Sequence, residues 1–379
     1  MPIINLNGNE TLEFSFDDMT HEYRRYTYHV EHCDYQGNPT GELFSSDYVT
    51  SGDDEEVVDD YEPSQNTSVL YTHYSLTLPN SRMQILKSGN YRLTINTEND
   101  EGEEAPVIRT YFGVVDQQVR LSATCSTDTD IDWNNAHQQL SVNVDMGSLA
   151  LRDAGEEYKL IILQNGRYDN QVVAPRPTSQ NGETLIWDHS RELIFNAGNE
   201  YRKLEFLSHR YPGMHGESMK WFDPYYNYSL FPDTPRRNYL YDEDQDGISV
   251  VRTENSTSPE TEADYALVHF ILQTEELPNS KIYVDGRWAS CGFQPATLMH
   301  YNAAVGQYEA TVLLKQGYYN FQYLTVNGDD VSGRVGQSLP IEGDYYQTEN
   351  EYTFLSYYKA TGDRYWRMVG NLSLKYRKH

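Results

Sequence analysis

Apolar and polar residues alternate along much of this chain, which is the pattern of β-strands with one buried face. Two clear examples are "SGNYRLTI" and "QQLSVNVD", whose apolar faces hold Tyr91, Leu93, Ile95, Leu140, Val142 and Val144. Clusters of Asn, Gly, Asp and Pro separate such segments, and no segment has a sustained helical period with capping residues. The pattern predicts an all-β protein of tandem antiparallel β-sandwich domains, similar to immunoglobulin, fibronectin type III and early-set domains.

The same alternation predicts a hairpin and a division into three domains. The segment "QYEATVLLKQGYYNFQYLTVNGDD" indicates two strands joined by a turn at 315–317. We expect an N-terminal β-sandwich at residues 1–116, a second at 117–236 and a C-terminal early-set-like one at 237–379. The second boundary is placed after a stretch in which Pro224, Pro232 and Pro235 interrupt any central strand. This predicts three sandwiches in series.

Composition excludes several kinds of partner. The 379 residues contain 29 Lys and Arg against 57 Asp and Glu, a formal charge of −28, which repels nucleic-acid phosphates and anionic lipids. No apolar run approaches the roughly 20 residues needed to span a bilayer. The first residues, "MPIINLNGNE", lack the pattern of an export signal. We therefore expect neither a nucleic-acid partner nor a membrane span.

The cysteines and tyrosines add two constraints. Cys33, Cys125 and Cys291 lie far apart and form no C-x-x-C pair, which excludes a zinc knuckle or a redox motif. We expect buried free thiols, with one long-range disulfide as the alternative. The chain holds 33 Tyr against 12 Phe and 5 Trp, a bias toward rings that pack at one end and hydrogen-bond at the other.

The sequence "DEDQDG" is the best candidate for a metal site. Asp242, Asp244, Asp246 and Gly247 occupy the first, third, fifth and sixth positions of an EF-hand loop. The twelfth position is Thr253 rather than the bidentate Glu, and the flanks alternate as strands where helices are required. We therefore predict a hairpin closed at Asp246-Gly247, with weak calcium binding as the alternative.

Other chemical motifs have structural explanations. In "HVEHCD", His29 and Glu31 share one strand face, so at most two side chains there could reach one metal ion. Ser356 and Lys359 match an S-x-x-K pattern, but the surrounding residues alternate as a strand, in which the two side chains point apart. No G-x-S-x-G, H-E-x-x-H, P-loop or G-x-G-x-x-G motif is present. We predict a protein that is not an enzyme and needs no cofactor.

An ordered series of phrases resembles a known family over nearly the whole chain. Among them are "PIINLNGNETLEFSFDD", "YHVEHCDYQGN", "SGNYRL", "ILQNGRYDN", "FNAGNEYRKLEF" and "LLKQGYYNFQY". They resemble the DUF5103 family of Bacteroidetes proteins, which includes the plug protein of the type 9 secretion system. In that family the stretch matching "YLYDEDQDGISVV" is a shorter Asp-Asn-Gly turn, which favours the turn interpretation here.

The resemblance implies an exported, periplasmic, non-enzymatic protein made of β-sandwich domains, whose export signal is absent from this sequence. It implies binding to a very large outer-membrane translocon barrel, whose periplasmic opening the plug closes, and we expect a monomer. An aromatic stretch supplies candidate anchors for that partner. They are Trp221, Phe222, Tyr225, Tyr226 and Tyr228.

A second resemblance concerns the last domain alone. Its strands are similar to early-set sandwiches of the glycogen-binding and starch-binding type, and Trp288 lies near the position of a Trp in such modules. With Tyr283 and Tyr318 it could stack on a pyranose ring, although no second Trp follows the last strand and packing into the core competes. The alternative function is therefore a glycan-binding module of a Bacteroidetes carbohydrate-handling system.

Overall fold

The computed structural model describes residues 1–52, 55–99, 101–254, 256–289, 292–328 and 333–377. The regular secondary structure of this part of the chain is almost entirely β-strand, so the all-β prediction is confirmed. The described residues form three one-turn α-helices, α1 (Ser45–Tyr48), α2 (Ala154–Glu157) and α3 (Pro259–Glu262), and three 3-10 turns at Arg191–Leu193, Arg287–Ala289 and Pro295–Thr297. The strands are β1 (Ile3–Asn5), β2 (Leu12–Asp18), β3 (Tyr26–Cys33), β4 (Glu56–Val57), β5 (Asp60–Pro63), β6 (Thr72–Leu78), β7 (Gly89–Glu98), β8 (Glu104–Val115), β9 (Arg120–Ser126), β10 (His137–Asp145), β11 (Tyr158–Gln164), β12 (Val172–Val173), β13 (Ser179–Asn181), β14 (Thr184–Trp187), β15 (Ile194–Asn196), β16 (Arg202–Phe206), β17 (Gly216–Phe222), β18 (Tyr225–Leu230), β19 (Ser249–Val251), β20 (Tyr265–Leu272), β21 (Ser280–Asp285), β22 (Leu298–Asn302), β23 (Gln307–Lys315), β24 (Gly317–Asn327), β25 (Asn350–Tyr358) and β26 (Arg367–Tyr376).

The first domain is a β-sandwich built from the first eight strands. One sheet has the order β1-β8-β7-β3-β4, with β1 parallel to β8, and the other has the order β2-β6-β5. The alternation predicted for β7 is confirmed, since Tyr91 and Leu93 are fully buried and Ile95 is 2% exposed. These side chains pack in one core with Phe112 and Val114 of β8.

The second domain is assembled from two distant parts of the chain. Its first sheet contains β13, β14, β10 and β15, with β9 also paired to β10. Its second sheet has the order β12-β11-β25-β26, in which β25 pairs with β11 from Tyr158↔Tyr358 to Gln164↔Tyr352. As predicted, the apolar face of β10 is completely buried. It packs against Trp187, which is 1% exposed.

The third domain is inserted between β15 and β25. Strands β16 to β24 are hydrogen-bonded into one sheet, with the order β16-β24-β21-β22-β23-β20-β18-β17 and with β19 also paired to β24. The sheet curls back on itself, so that its two edge strands approach each other. The N–H of Glu205 in β16 donates to the carbonyl of Met214 (3.1 Å), two residues before β17. Its core includes Val268, Phe270 and Phe321, all fully buried.

The predicted boundary at residues 236 and 237 is therefore wrong. Strands β16 to β18, which precede it, belong to the third domain, while β25 and β26 return to the second. The Pro-rich stretch that suggested the boundary is the β17–β18 hairpin and the segment after it. A division made in chain order misses a return strand, because its register is fixed by partners almost 200 residues away.

The predicted hairpin at 315–317 is also wrong. β23 pairs with β20 and β22, whereas β24 pairs with β16, β19 and β21, so the two strands are not hydrogen-bonded to each other. Lys315, Gln316 and Gly317 form a corner that carries the chain to a different part of the curled sheet. Gln316 holds this corner, since its N donates to Asp264 O (2.8 Å) and its side chain accepts from Asp264 N (3.0 Å).

Each domain contacts both of the others, so the expected arrangement in series is corrected. The first and second domains share an apolar cluster that includes Val115, Leu355 and Met368. The first and third are joined at Asp264, which accepts from Ser68 N (2.7 Å). The second and third are joined by Arg287, whose Nε donates to the Asn165 carbonyl (3.0 Å) and whose Nη2 pairs with Glu351 (3.0 Å). Because each domain contacts both of the others, we expect the three domains to behave as one rigid body rather than as flexibly linked units.

Candidate functional site

The β17–β18 hairpin carries the predicted aromatic anchors at the edge of the third domain. Among the described residues, β17 is the last strand of its sheet and pairs with β18 alone. Trp221 and Phe222 stand next to each other on it and are 45% and 63% exposed. They face Tyr226 and Tyr225 across the ladder, and Tyr226 stacks on His209 with ring centroids 3.9 Å apart. The hairpin thus presents two exposed rings on a braced, half-buried base.

Tyr228 is not part of this surface, which corrects one of the five predicted anchors. It is fully buried, and its hydroxyl donates to the carbonyls of Glu205 (3.0 Å) and Met214 (3.2 Å). Its ring stacks on Phe206 inside the third domain. Burial and these two hydrogen bonds make Tyr228 a structural residue that ties the curled edges of the sheet together.

Several apolar side chains outside the hairpin are exposed, and the sequence analysis did not predict them. Phe44 is 77%, Trp133 72% and Leu240 80% exposed. They belong to different parts of the structure, and single exposed apolar residues are normal on proteins. Trp133 gives a useful reference for the hairpin, because it is an exposed tryptophan on the second domain.

The "DEDQDG" segment forms the predicted turn but not the predicted hairpin. Asp246 and Gly247 both have left-handed backbones, with φ of 52° and 85°, and Ile248 N donates to Gln245 O (3.2 Å). The residues before the turn are not a strand, and β19 after it pairs with β24. Asp242 binds Lys203 instead of joining Asp244. Within the described ranges, no three His, Cys, Asp or Glu side chains are grouped so that they could hold a metal ion.

Asp244 and Asp246 instead line an acidic seam between the second and third domains. Glu200 and Glu349 line the same small cleft, opposite Lys375. Burial raises the pKa of Glu200 to about 7 and that of Asp244 to about 6. Burial and the neighbouring charge of Asp244 raise the pKa of Asp246 to about 7. These carboxyl groups therefore titrate near neutral pH rather than near pH 4.

The three residues expected to stack on a sugar do not form an open surface. Tyr283 is only 3% exposed. Trp288 packs against Phe270 of the core, and its Nε1 donates to the Asn320 carbonyl (2.8 Å). Tyr318 is half-buried and accepts from Asn320 Nδ2 (2.9 Å). The competing interpretation, core packing, accounts for these rings.

The remaining sequence candidates are structural where they are described. Ser356 is fully buried in β25 and hydrogen-bonded to Tyr158 (2.5 Å). Glu31 is bound by Arg92 (2.6 Å) across the strands. Cys33 and Cys125 are free thiols, and burial raises the pKa of each. Cys291 lies outside the described residues.

A larger cleft lies where the second and third domains meet and was not foreseen from the sequence. It has a volume of about 420 Å³ and is lined from both domains. Contributions come from Gln164 and Asn196 of the second domain, from Gln322 of the third and from Asn350 of the return strand. Because these amides are scattered along the chain, only the folded structure brings them together.

The fold and its surfaces define a class: an all-β protein of three mutually packed domains with an exposed aromatic edge. In the described part of the chain, no helix is long and apolar enough to cross a bilayer. Residues 1–116 match the family model described as the first domain of the type 9 secretion system plug protein. This match places the first domain of the chain in the type 9 secretion system plug protein family.

A solved structure is similar over almost the whole chain. It is the crystal structure of a hypothetical protein from Parabacteroides merdae, 38% identical in sequence, with a TM-score of 0.94. The similarity covers 99% of this chain and 94% of that one. No match was found among curated proteins. The inserted third domain and the return strands therefore have a counterpart in that structure.

Proposed function

We propose that this protein closes the periplasmic opening of an outer-membrane type 9 translocon by binding to it, without catalysing a reaction. The observation that carries the proposal is the match of residues 1–116 to the first domain of the plug protein. A location in the periplasm, and a translocon barrel as partner, belong to the same proposal.

The packing of the three domains supports a steric mechanism. A plug has to keep its shape against a wide opening, and each domain here is braced by the other two through a buried apolar cluster or through hydrogen bonds. Rigid partners bind without a large cost in ordering. The protein is therefore suited to act as one block, with binding and release decided at its surface.

The β17–β18 hairpin is the proposed contact with the translocon. Exposed aromatic side chains commonly supply most of the binding energy at protein interfaces, and Trp221 and Phe222 are consecutive on β17, so they extend from its two opposite faces. Among the described strands β17 ends its sheet, and an edge strand offers backbone groups that another chain can meet. The hairpin thus offers an exposed ring on each face and a strand edge between them.

The test is capture of the translocon from the native host by the tagged, full-length protein after crosslinking. We expect a very large outer-membrane barrel among the proteins identified by mass spectrometry. Replacing Trp221 and Phe222 with Ala should lower its recovery about tenfold or more, because two anchors are lost. The thermal midpoint should change by less than about 2 °C, because both side chains are exposed.

Trp133→Ala is the matched control. It also removes an exposed tryptophan, 72% accessible, but from the second domain. Recovery of the barrel should stay at the wild-type level. Absence of any barrel from the wild-type capture would contradict the plug proposal, and equal losses in both variants would contradict the assignment of the hairpin.

A further inference from the structure

The cleft between the second and third domains has an unusual lining for its size. Ligand pockets of 300–1,000 Å³ are mostly apolar with a few polar groups, whereas nine of the twenty residues lining this cleft of about 420 Å³ are Asn or Gln. Side-chain amides each offer a donor and an acceptor without carrying charge. Most of these amides are hydrogen-bonded within the wall, as Asn350 is to Gln138 (3.0 Å), but the side chains of Gln171 and Asn196 make no hydrogen bond to the described residues. The lining therefore favours a polar, uncharged ligand.

The charged side chains of the lining are already hydrogen-bonded within the wall. Arg167 makes two hydrogen bonds to the Asp169 carboxylate, of 3.0 and 2.6 Å, and a third to the Gly336 carbonyl (2.9 Å). Asp344 accepts from Gly198 N (3.0 Å) and from the Ser338 hydroxyl (2.5 Å). Arg167 is thus neutralised by Asp169, so the cleft does not favour a phosphate or a carboxylate.

One buried atom of the lining has no partner. Asn170 Nδ2 donates to Gln164 Oε1 (3.0 Å), but its Oδ1 is buried and accepts no hydrogen bond from the described residues. Buried acceptors are rarely left without a donor, so this side chain marks a place in the wall where a hydrogen bond is missing.

Two sheet edges border the cleft. β12 is the outermost strand of one sheet of the second domain and β15 that of the other, and Val172, Ile194 and Asn196 from them line the cleft. Strands at a sheet edge leave backbone N–H and C=O groups for an added strand. One of these groups, the Asn196 carbonyl, is already capped by Gln164 Nε2 (2.9 Å).

These features point to a peptide rather than a sugar. The main chain of an extended peptide is uncharged and repeats a donor and an acceptor at every residue, which suits amides and strand edges alike. A pyranose favours an open aromatic ring to stack on. The two aromatic residues of the lining, Phe195 and Tyr201, are only 5% and 2% exposed.

We propose that the cleft between the second and third domains binds an extended, uncharged peptide segment of a partner protein. This site lies apart from the β17–β18 hairpin in the sequence and shares no residue with it. The proposal does not depend on the identity of the translocon, because it rests on the lining of the cleft alone.

The probe is a phage library of random heptapeptides, selected in parallel on the full-length protein and on its Asn170→Leu/Asn196→Leu variant. Peptides enriched on the wild type are synthesised with capped ends and titrated calorimetrically. We expect uncharged sequences, at least about tenfold weaker binding to the double variant, and less than a twofold change between about 50 and 500 mM salt. Asn143→Leu, an exposed Asn of the same domain outside the cleft, should bind like the wild type.

Three results would overturn the proposal. They are the absence of any peptide that prefers the wild type to the double variant, selection of charged peptides with strong salt dependence, and binding of neutral oligosaccharides, but not peptides, that the double variant loses. Asn196 is exposed, so the single variant Asn196→Leu repeats the test if the double variant is unstable. Because the assay uses purified protein, a failure of translocon capture does not affect its outcome.

Discussion

The first domain is held to its two neighbours by contrasting chemistry. Against the second domain it buries an apolar cluster in which Leu355 is 3% and Met368 0% exposed. Against the third it buries ions, with Lys315 only 7% exposed. At an apolar junction, a substitution lowers the free energy of unfolding according to the buried apolar volume that it removes. At a buried ionic junction, removing one ion lowers it strongly, because the other ion is left buried without its partner. The contrast predicts different responses to single substitutions.

The ionic junction is closely satisfied. Lys315 Nζ donates to Asp17 Oδ2 (2.6 Å) and to the Glu260 carbonyl (2.5 Å), and it lies 4.1 Å from the centre of the Tyr71 ring. Asp17 also accepts from Tyr265 (2.5 Å). Burial lowers the pKa of Lys315. Burial opposes ionisation of Asp17 as well, but hydrogen bonds outweigh it and lower its pKa.

The largest effect is expected from breaking this network with Lys315→Met. Asp17 then keeps its charge in a buried site without the lysine, which should lower the free energy of unfolding by about 3–5 kcal/mol. Urea unfolding of the full-length protein measures the change.

Two further variants define that result. Lys315→Met combined with Asp17→Asn removes both charges and should cost less than the single change, because no ion is stranded. Lys220→Met, on the exposed face of β17, should stay within about 0.5 kcal/mol of the wild type. A loss below about 1 kcal/mol for Lys315→Met would show that the ionic junction does not hold the domains.

At the apolar junction, Leu355→Ala should lower the free energy of unfolding by about 2–4 kcal/mol through lost burial and a residual cavity. The loss should be the same at pH 5 and pH 8, because no titratable group is removed. Leu313→Ala, at a site that is 37% exposed, serves as the reference and should cost much less. A loss that differs between pH 5 and pH 8 for Leu355→Ala would contradict the interpretation of this junction as purely apolar.

The sequence predicted the local part of this architecture and not the way its parts meet. Alternation is set by neighbours two residues apart, so the buried faces of β7 and β10 were predicted correctly. The return of β25 to β11 and the separation of β23 from β24 depend on partners far away in the chain, which no local pattern encodes.

The same limit applies to the candidate sites. The aromatic stretch around Trp221 could be found from composition, but the burial of Tyr228 depends on the carbonyls of Glu205 and Met214 from other segments. In "DEDQDG" the spacing indicated a turn, and the turn is present. Its carboxyl pKa values are raised because residues of the second domain help to bury the turn. The sequence alone does not predict this contact.

That acidic seam is the third junction of the molecule, and it supplies the smallest expected effect. The pKa of Asp246 in the folded protein is about 7, against an ordinary value of 3.8. Between these two pH values the folded protein keeps a proton on Asp246 that the unfolded chain has released. The stability linked to this proton is complete below about pH 4 and is lost as the pH rises through 7.

Asp246→Asn keeps the neutral form at every pH and tolerates the left-handed backbone of the turn. It should therefore raise the free energy of unfolding by about 1–2 kcal/mol at pH 8 and change it little at pH 5. Thermal or urea unfolding at both values measures this, with Asp60→Asn on the exposed strand β5 as the control. Equal effects at the two pH values would mean that Asp246 is not held protonated. The second and third domains would then meet across an ordinary solvated surface rather than a seam whose strength depends on pH.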